Sequence, residues 1–164
     1  QNDGPVKTYV TITDCSVVDC EITGTSVGAI NGHAGASDWT FTTIDNCVVT
    51  GNTLTSTDDG GWRVGAIVGT ANSGQLTISN VTVGNNVMTQ AAASSQRATG
   101  LSDMIGRKVL NGVGSCNIEG NNTVLVSNDT EFANALGYDD YYKFIFIHNT
   151  ILALLYNLKH PLRH

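Results

Sequence analysis

The chain has 164 residues, of which 13% are charged and 41% hydrophobic, and it contains 18 glycines. This length is enough for one domain with a sizeable core, and the hydrophobic content excludes a disordered chain. The formal net charge is −6, so the sequence has no basic footprint for nucleic acid or anionic lipid. The longest apolar run, 144–155, is interrupted by polar residues and is too short to predict a membrane span.

A phrase rich in threonine, valine and asparagine is the first predicted element, and it recurs along the chain. It begins at Thr11 and recurs at Thr43 and Thr77, and a more divergent copy begins at Val113. One position in the phrase, named the anchor here, is occupied in turn by Cys15, Cys47, Val81 and Cys116. The anchors are 32, 34 and 35 residues apart. Self-similarity at a period of this size predicts an array in which successive copies stack on one another.

Apolar residues of the phrase predict three ladders through the stacked copies. The ladders are Ile12, Ile44, Ile78 and Val113; Val17, Val49, Val83 and Ile118; and Ile22, Leu54 and Met88. Within one copy the apolar positions are about five residues apart, which suits short strands joined by bends. Threonine, valine, glycine and asparagine dominate these segments, so a helix is disfavoured.

Asparagine and aspartate residues predict two further ladders beside the apolar ones. These ladders are Asp14, Asn46, Asn80 and Ser115, and Asn52, Asn86 and Asn121. Such side chains cap their own backbone at bends and tolerate unusual backbone angles. Stacked amides also hydrogen-bond one above another. We therefore expect these residues to be structural.

A second motif, small–apolar–glycine, is interleaved with the first. Gly28-Ala-Ile-Asn-Gly32 recurs as Gly65-Ala-Ile-Val-Gly69 and, more loosely, as a phrase that ends at Gly106. This pattern predicts a strand that ends at a tight turn, with glycine where a side chain would clash. The connections near this motif, 25–27, 56–64 and 90–99, lengthen from copy to copy, as insertions on one face of an array do.

The repeats predict an all-β fold, a parallel β-helix of about four turns. A β-sandwich or Greek-key domain is the alternative, but its strands need not resemble one another at fixed spacing. We expect residues 1–126 to form the β-helix domain and residues 127–164 to form a C-terminal cap or tail.

The C-terminal segment differs in character from the repeats. Asn128, Asp129 and Thr130 are candidate N-caps of a short helix. Residues 139–159 are largely aromatic and apolar, and they fit either a strand followed by a helix or one helix over about 150–159. We expect the segment to cover the last turn as a hydrophobic lid, because open ends of stacked strands need caps. Docking on another chain, end-to-end or tail-mediated self-association, and a non-native tail are the alternatives.

The phrases Val27-Gly-Ala-Ile-Asn-Gly and Val64-Gly-Ala-Ile-Val-Gly, each followed by Ile-x-Asn-Cys or Ile-Ser-Asn, resemble GLUG-type repeats. These repeats occur in large secreted and surface proteins of bacteria, many from gut Bacteroidetes. The resemblance covers about residues 10–123, and the third copy departs from it at Ser102 and Asp103. It implies a right-handed parallel β-helix in an extracellular or cell-surface, often adhesin-like, protein. It carries over no catalytic residue.

The four cysteines allow two interpretations. We expect buried, reduced thiols at Cys15, Cys47 and Cys116, because Val81 fills the equivalent position in the third copy. A Cys15–Cys20 disulfide is the alternative. The chain has no Cys-x-x-Cys motif and no histidine at matching spacing, so no metal or cofactor is predicted.

Candidate binding residues lie in the segments that fail to repeat. Carbohydrate binding needs exposed aromatic rings beside polar groups, and the candidates are Trp39, Asp58, Asp59, Trp62 and Arg63. We expect a non-catalytic structural or adhesive module that presents its loops to a glycan or a surface protein.

A carbohydrate-active enzyme, either a polysaccharide lyase or a glycoside hydrolase, is the alternative function. Its site would lie in the loop region 45–63, and the carboxylates available to it are Asp19, Glu21, Asp45, Asp58 and Asp59. A lyase also needs a base. Only Lys7 and Arg63 are basic among residues 1–96, and this scarcity favours a module without enzyme activity.

Overall fold

A computed structural model of the chain describes residues 5–35, 37–58, 63–90, 104–108, 115–126, 142–148 and 151–155. These residues form strands joined by bends and turns, and no helix occurs among them. The described part of the protein is therefore all-β, as the sequence predicts. In the same residues, no helix has the length and apolar character needed to cross a membrane.

The chain passes repeatedly through the same series of short strands. The first pass contains β1 (Thr8–Thr13), β2 (Ser16–Val18), β3 (Glu21–Gly24), β4 (Val27–Gly28) and β5 (Asn31–Ala34). The second pass contains β6 (Thr40–Asp45), β7 (Val48–Thr50), β8 (Thr53–Ser56), β9 (Val64–Gly65) and β10 (Val68–Ala71). The third pass contains β11 (Gln75–Ser79), β12 (Thr82–Gly84), β13 (Val87–Gln90) and β14 (Ile105–Lys108). The remaining strands are β15 (Ser115–Glu119), β16 (Asn122–Val126), β17 (Tyr142–His148) and β18 (Ile151–Leu155).

Equivalent strands of successive passes pair side by side and form five sheets, designated A to E. Sheet A has the order β1-β6-β11-β15, sheet C the order β3-β8-β13, sheet D the pair β4-β9, and sheet E the order β5-β10-β14. Sheet B has the order β2-β7-β12-β16-β17-β18. Among the described strands, every pairing is parallel except that of β17 with β18. Each of the first two passes thus visits sheets A to E in the same order.

The register of these sheets confirms the apolar ladders over the first three passes. Ile12, Ile44 and Ile78 lie opposite one another in sheet A. The equivalent ladders are Val17, Val49 and Val83 in sheet B, and Ile22, Leu54 and Met88 in sheet C. Ile44 and Ile78 are fully buried, and each such side chain contributes about 1.5–3 kcal/mol on burial. The repeated apolar positions therefore build the core.

Bends in the left-handed region of backbone space connect the sheets. Asp14, Asn46 and Asn80 have φ values of 56°, 51° and 53° and occupy the bend between sheets A and B. Aspartate and asparagine enter this region more readily than other side chains because they hydrogen-bond locally. The Asn46 Nδ2 atom donates to Asp14 Oδ1 at 2.5 Å. The structural role predicted for this polar ladder is confirmed at these three positions.

The second polar ladder stacks inside the bend between sheets B and C. Asn52 is fully buried, and its Nδ2 atom donates to Asn86 Oδ1 and to the Val17 carbonyl, both at 2.9 Å. Its Oδ1 atom accepts from the backbone N–H of Cys20 at 2.9 Å. Each amide thus bridges neighbouring passes, so Asn52 and Asn86 are structural, as predicted.

The fourth copy is aligned differently from the sequence prediction. Ile118 lies opposite Ile78 in sheet A, not opposite Val83 in sheet B. Cys116 lies opposite Leu76 and is therefore not an anchor residue. The buried residue beside Val81 is Asn122, whose Oδ1 atom accepts from the Val81 N–H at 3.0 Å.

The predicted alignment of the fourth copy is wrong because it placed Cys116 at the position of the anchor cysteines in the earlier copies. The step from Val81 to Asn122 is 41 residues, longer than the steps between earlier anchors. Ser115 consequently lies in β15 and Asn121 follows that strand, so neither belongs to the polar ladder assigned to it. Val113 lies outside the described residues.

Glycines allow two segments of the backbone to approach each other closely. Gly28 pairs with Gly65 in sheet D, and Gly32, Gly69 and Gly106 share one register position in sheet E. A Cβ atom added at Gly65 would lie 2.4 Å from the Gly106 nitrogen. The contact involves backbone on both sides, so no side chain fits there. This confirms the prediction that glycine occurs in the motif where a side chain would clash.

The C-terminal segment extends sheet B. β17 pairs in parallel with β16, and β18 pairs antiparallel with β17. A helix over 150–159 is therefore wrong for residues 151–155, where antiparallel pairing keeps the chain extended. The predicted helix that begins near Asn128 lies outside the described residues. The lid role stays a prediction.

Candidate functional site

The connection between β8 and β9, residues 57–63, is the largest departure from the repeat within the second pass. The equivalent connection of the first pass, between β3 and β4, contains only Thr25 and Ser26. Both connections join sheet C to sheet D, so the longer one is an insertion at a fixed corner of the fold. Residues 59–62 lie outside the described part of the chain.

An ion pair closes the base of this connection. The Arg63 Nε atom lies 2.6 Å from Asp58 Oδ2, and the two side chains are 33% and 16% exposed. Neither atom has a hydrogen-bond partner elsewhere in the described residues, so each charge is balanced by the other. Two of the five predicted binding residues are thus brought together, and their contact holds the two ends of the insertion.

Gln90 joins the same two ends from the next pass. Its Nε2 atom donates to the Asp58 carbonyl, and its Oε1 atom accepts from the Arg63 backbone N–H at 3.1 Å. Ser56, which pairs with Gln90 across the sheet, donates to the Thr25 carbonyl at 2.9 Å. Sequence reasoning missed Gln90. The available signal was a long amide side chain directly after Val-Met-Thr, at a position where the earlier copies have glycine and serine.

Trp39 lies on a different connection. It precedes β6, between sheets E and A, and its side chain is among the exposed large hydrophobic groups, at 41% of its full accessibility. Its carbonyl accepts from the Thr8 N–H at 2.9 Å, which fixes its backbone to the first pass. The indole is thus exposed, and it lies on a connection other than the one that carries the Asp58–Arg63 pair. Asp59 and Trp62 lie outside the described residues.

Asp45, a carboxylate available to the enzyme alternative, has structural contacts. Its Oδ1 atom accepts from Ser79 Oγ at 2.6 Å and from Asn80 Nδ2 at 2.7 Å. These hydrogen bonds, that of Ser79 first, lower the pKa of the Asp45 carboxyl below its ordinary 3.8. A carboxyl that ionises this readily holds no proton near neutral pH. Asp45 is therefore better suited to linking neighbouring passes through hydrogen bonds than to acting as a general acid.

The cysteines differ in burial. Cys47 is buried, Cys116 is half-buried, and Cys15 and Cys20 are exposed, and no disulfide joins any two of the four. The prediction of a buried thiol is correct for Cys47 and wrong for Cys15, because the described residues place no strand beyond the first pass. A Cys15–Cys20 bridge is also excluded, since β2 holds the two residues roughly 10 Å or more apart. The described residues contain no cluster of three or more metal-ligating side chains.

Comparison with known proteins gives no relative from which a function can be transferred. No protein family, curated protein or solved structure matches the chain. The function must therefore be argued from the residues themselves.

Proposed function

We propose that this chain is a right-handed parallel β-helix that serves as a non-catalytic adhesive module of a bacterial cell-surface or secreted protein. The repeated order of the sheets supports a β-helix, because the second pass adds one strand to each of sheets A to E and the third pass adds one strand to each of sheets A, B, C and E. The GLUG-like phrases support a surface location. The module would hold a glycan in place through contacts, with no bond made or broken.

The observation that carries this proposal is the braced insertion at residues 57–63. Its ends are fixed by the Asp58–Arg63 ion pair and by Gln90. An insertion with a fixed base loses less conformational entropy when it binds a ligand. The insertion also carries Trp62, an aromatic side chain of the type that sugar rings pack against. Trp39 supplies an exposed indole on another connection.

A catalytic role is less well supported by the contacts of the candidate carboxylates. Asp45 is engaged by Ser79 and Asn80, and Asp58 is neutralised by Arg63. Glycoside hydrolysis needs two carboxyl groups facing one another across a substrate. These two side chains instead stabilise a bend and a loop base, on different connections of the second pass.

A glycan array with the wild-type protein and four variants tests the proposal. We expect Trp62→Ala to reduce binding of the preferred glycan at least about tenfold, equivalent to 1.4 kcal/mol. Trp39→Ala reports whether the second indole contributes. Tyr9→Ala is the matched control for Trp62→Ala, because Tyr9 is an exposed aromatic residue, at 68%, on β1 in sheet A, whereas the insertion joins sheets C and D. Wild-type protein that binds no glycan, or that binds a surface protein alone, would contradict the proposal. Glycan turnover lost in Asp58→Asn would support the enzyme instead.

A further inference from the structure

Two cysteine thiols meet across neighbouring passes of the chain. Cys15 precedes β2 and Cys47 precedes β7, and the register of these two strands places the cysteines opposite one another. The Val48 N–H donates to the Cys15 carbonyl at 2.9 Å, which fixes the pairing at this point. Residues opposed in this way are separated by about 4.8 Å, and disulfides span Cα separations of roughly 4.4–6.8 Å.

The two thiols also have the same orientation. Cys15 Sγ donates to the Thr13 carbonyl and Cys47 Sγ to the Asp45 carbonyl, each at 3.2 Å. The neighbouring Cys15 is also among the groups that influence the pKa of the Cys47 thiol. Both side chains therefore lie one above the other, and a rotation about χ1 is enough to turn the sulfur atoms towards each other.

We propose that Cys15 and Cys47 form an oxidation site, at which a small-molecule disulfide such as oxidised glutathione converts the two thiols into a disulfide between the first and second passes. This inference is independent of the proposed glycan binding. The bond would link the end of the stack to its interior, where the first pass has a neighbour on one side only among the described residues.

The exposure of the two residues sets the order of the steps. The exposed Cys15 thiolate attacks oxidised glutathione first, forms a mixed disulfide and releases one glutathione thiolate. The Cys47 thiolate then attacks the Cys15 sulfur and releases the second glutathione. Two protein thiols lose their protons and two electrons in total, and one oxidised glutathione becomes two reduced ones. Burial raises the pKa of the Cys47 thiol, so the thiolate that the second step needs is less populated at neutral pH than it would be in an exposed cysteine.

Mass spectrometry of the folded protein after exposure to oxidised glutathione tests this assignment. We expect the loss of two hydrogen atoms and a proteolytic fragment in which Cys15 is linked to Cys47. The melting temperature should rise by about 5–10 °C, because the closed loop restricts the unfolded chain. Reduction with a dithiol should reverse both changes.

Variants at each cysteine make the result specific. Cys15→Ser should abolish the cross-link, and so should Cys47→Val, which places at this anchor the residue that occupies the next one, Val81. Cys20→Ser is the matched control, because Cys20 is exposed on the same pass yet outside the pair. Cys116→Ser should likewise leave the cross-link intact. A stable glutathione adduct at Cys15 without loss of glutathione would overturn the proposal, as would a cross-link that persists in Cys47→Val.

Discussion

At the scale of single residues, local geometry decides which side chains this fold accepts. Glycine occurs where backbone meets backbone, as at Gly69, and aspartate or asparagine occurs where φ is positive, as at Asn46 and Asn80. Because these residues recur in the sequence, they resemble functional motifs. Contacts between stacked copies account for that recurrence, so a polar residue that repeats in this chain has a structural role.

Replacing Gly69 with alanine should be strongly destabilising. The added Cβ atom would lie 2.5 Å from the Val27 nitrogen and 2.7 Å from the Gly32 carbonyl oxygen. Backbone atoms cannot move aside as a flexible side chain can, so we expect a loss of at least about 2 kcal/mol. Urea denaturation of the wild type and the variant measures this loss in the free energy of unfolding. Gly24→Ala is the control, since its Cβ atom would meet only Val27 Cγ2, at 3.5 Å. Equal losses in both variants would refute the close-approach explanation.

The carboxyl of Asp45 should make the protein sensitive to acid. Its pKa in the folded state lies below 3.8 because Ser79 and Asn80 donate to it. The stabilisation is therefore fully present above pH 3.8 and is lost as the pH falls through the lower folded value. An NMR titration of the side-chain carboxyl should give a pKa below 3.8 in the wild type. In Ser79→Ala it should move back towards 3.8. An unchanged pKa in that variant would show that Ser79 is not the main cause.

At the scale of elements, prediction succeeded where equivalent positions hold similar side chains. The stacking of Ile12, Ile44 and Ile78 was predictable because the same residue recurs at the same place in the phrase. The register of Gly32, Gly69 and Gly106 was predictable for the same reason. Gln90 was missed because its contacts reach into an insertion that has no counterpart in the other copies. A sequence repeat predicts the contacts that all copies share, and the contacts of Gln90 occur at one copy only.

Removing the Gln90 side chain should loosen the insertion without unfolding the protein. Gln90→Ala deletes the hydrogen bonds to the Asp58 carbonyl and the Arg63 N–H, each worth about 0.5–1.5 kcal/mol. We expect trypsin to cleave after Arg63 several times faster than in the wild type, because the backbone there opens more often. Thr89→Ala, a change at the exposed neighbouring position of β13, should leave the rate unchanged. Similar cleavage rates in the wild type and Gln90→Ala would contradict the bracing role.

At the scale of the whole molecule, the ends of the stack behave differently from its middle. Sequence reasoning treats every copy alike, so it placed Cys15 in the core together with Cys47. The structure leaves Cys15 exposed because the described residues provide it with a neighbouring pass on one side only. The fourth pass diverges as well, through the longer step to Asn122. The interior passes were therefore predictable from periodicity, whereas the ends depend on what lies next to them.

The most direct test of the account is to shorten the insertion and measure glycan binding. Residues 57–63 would be replaced by Thr-Ser, the two-residue connection that joins the same sheets in the first pass. If the repeats are the scaffold and the insertion is the binding site, the variant should keep the β-sheet circular dichroism spectrum and a cooperative thermal transition. It should also lose binding of the glycan that the wild type prefers. A folded variant that binds this glycan as tightly as the wild type would contradict the account.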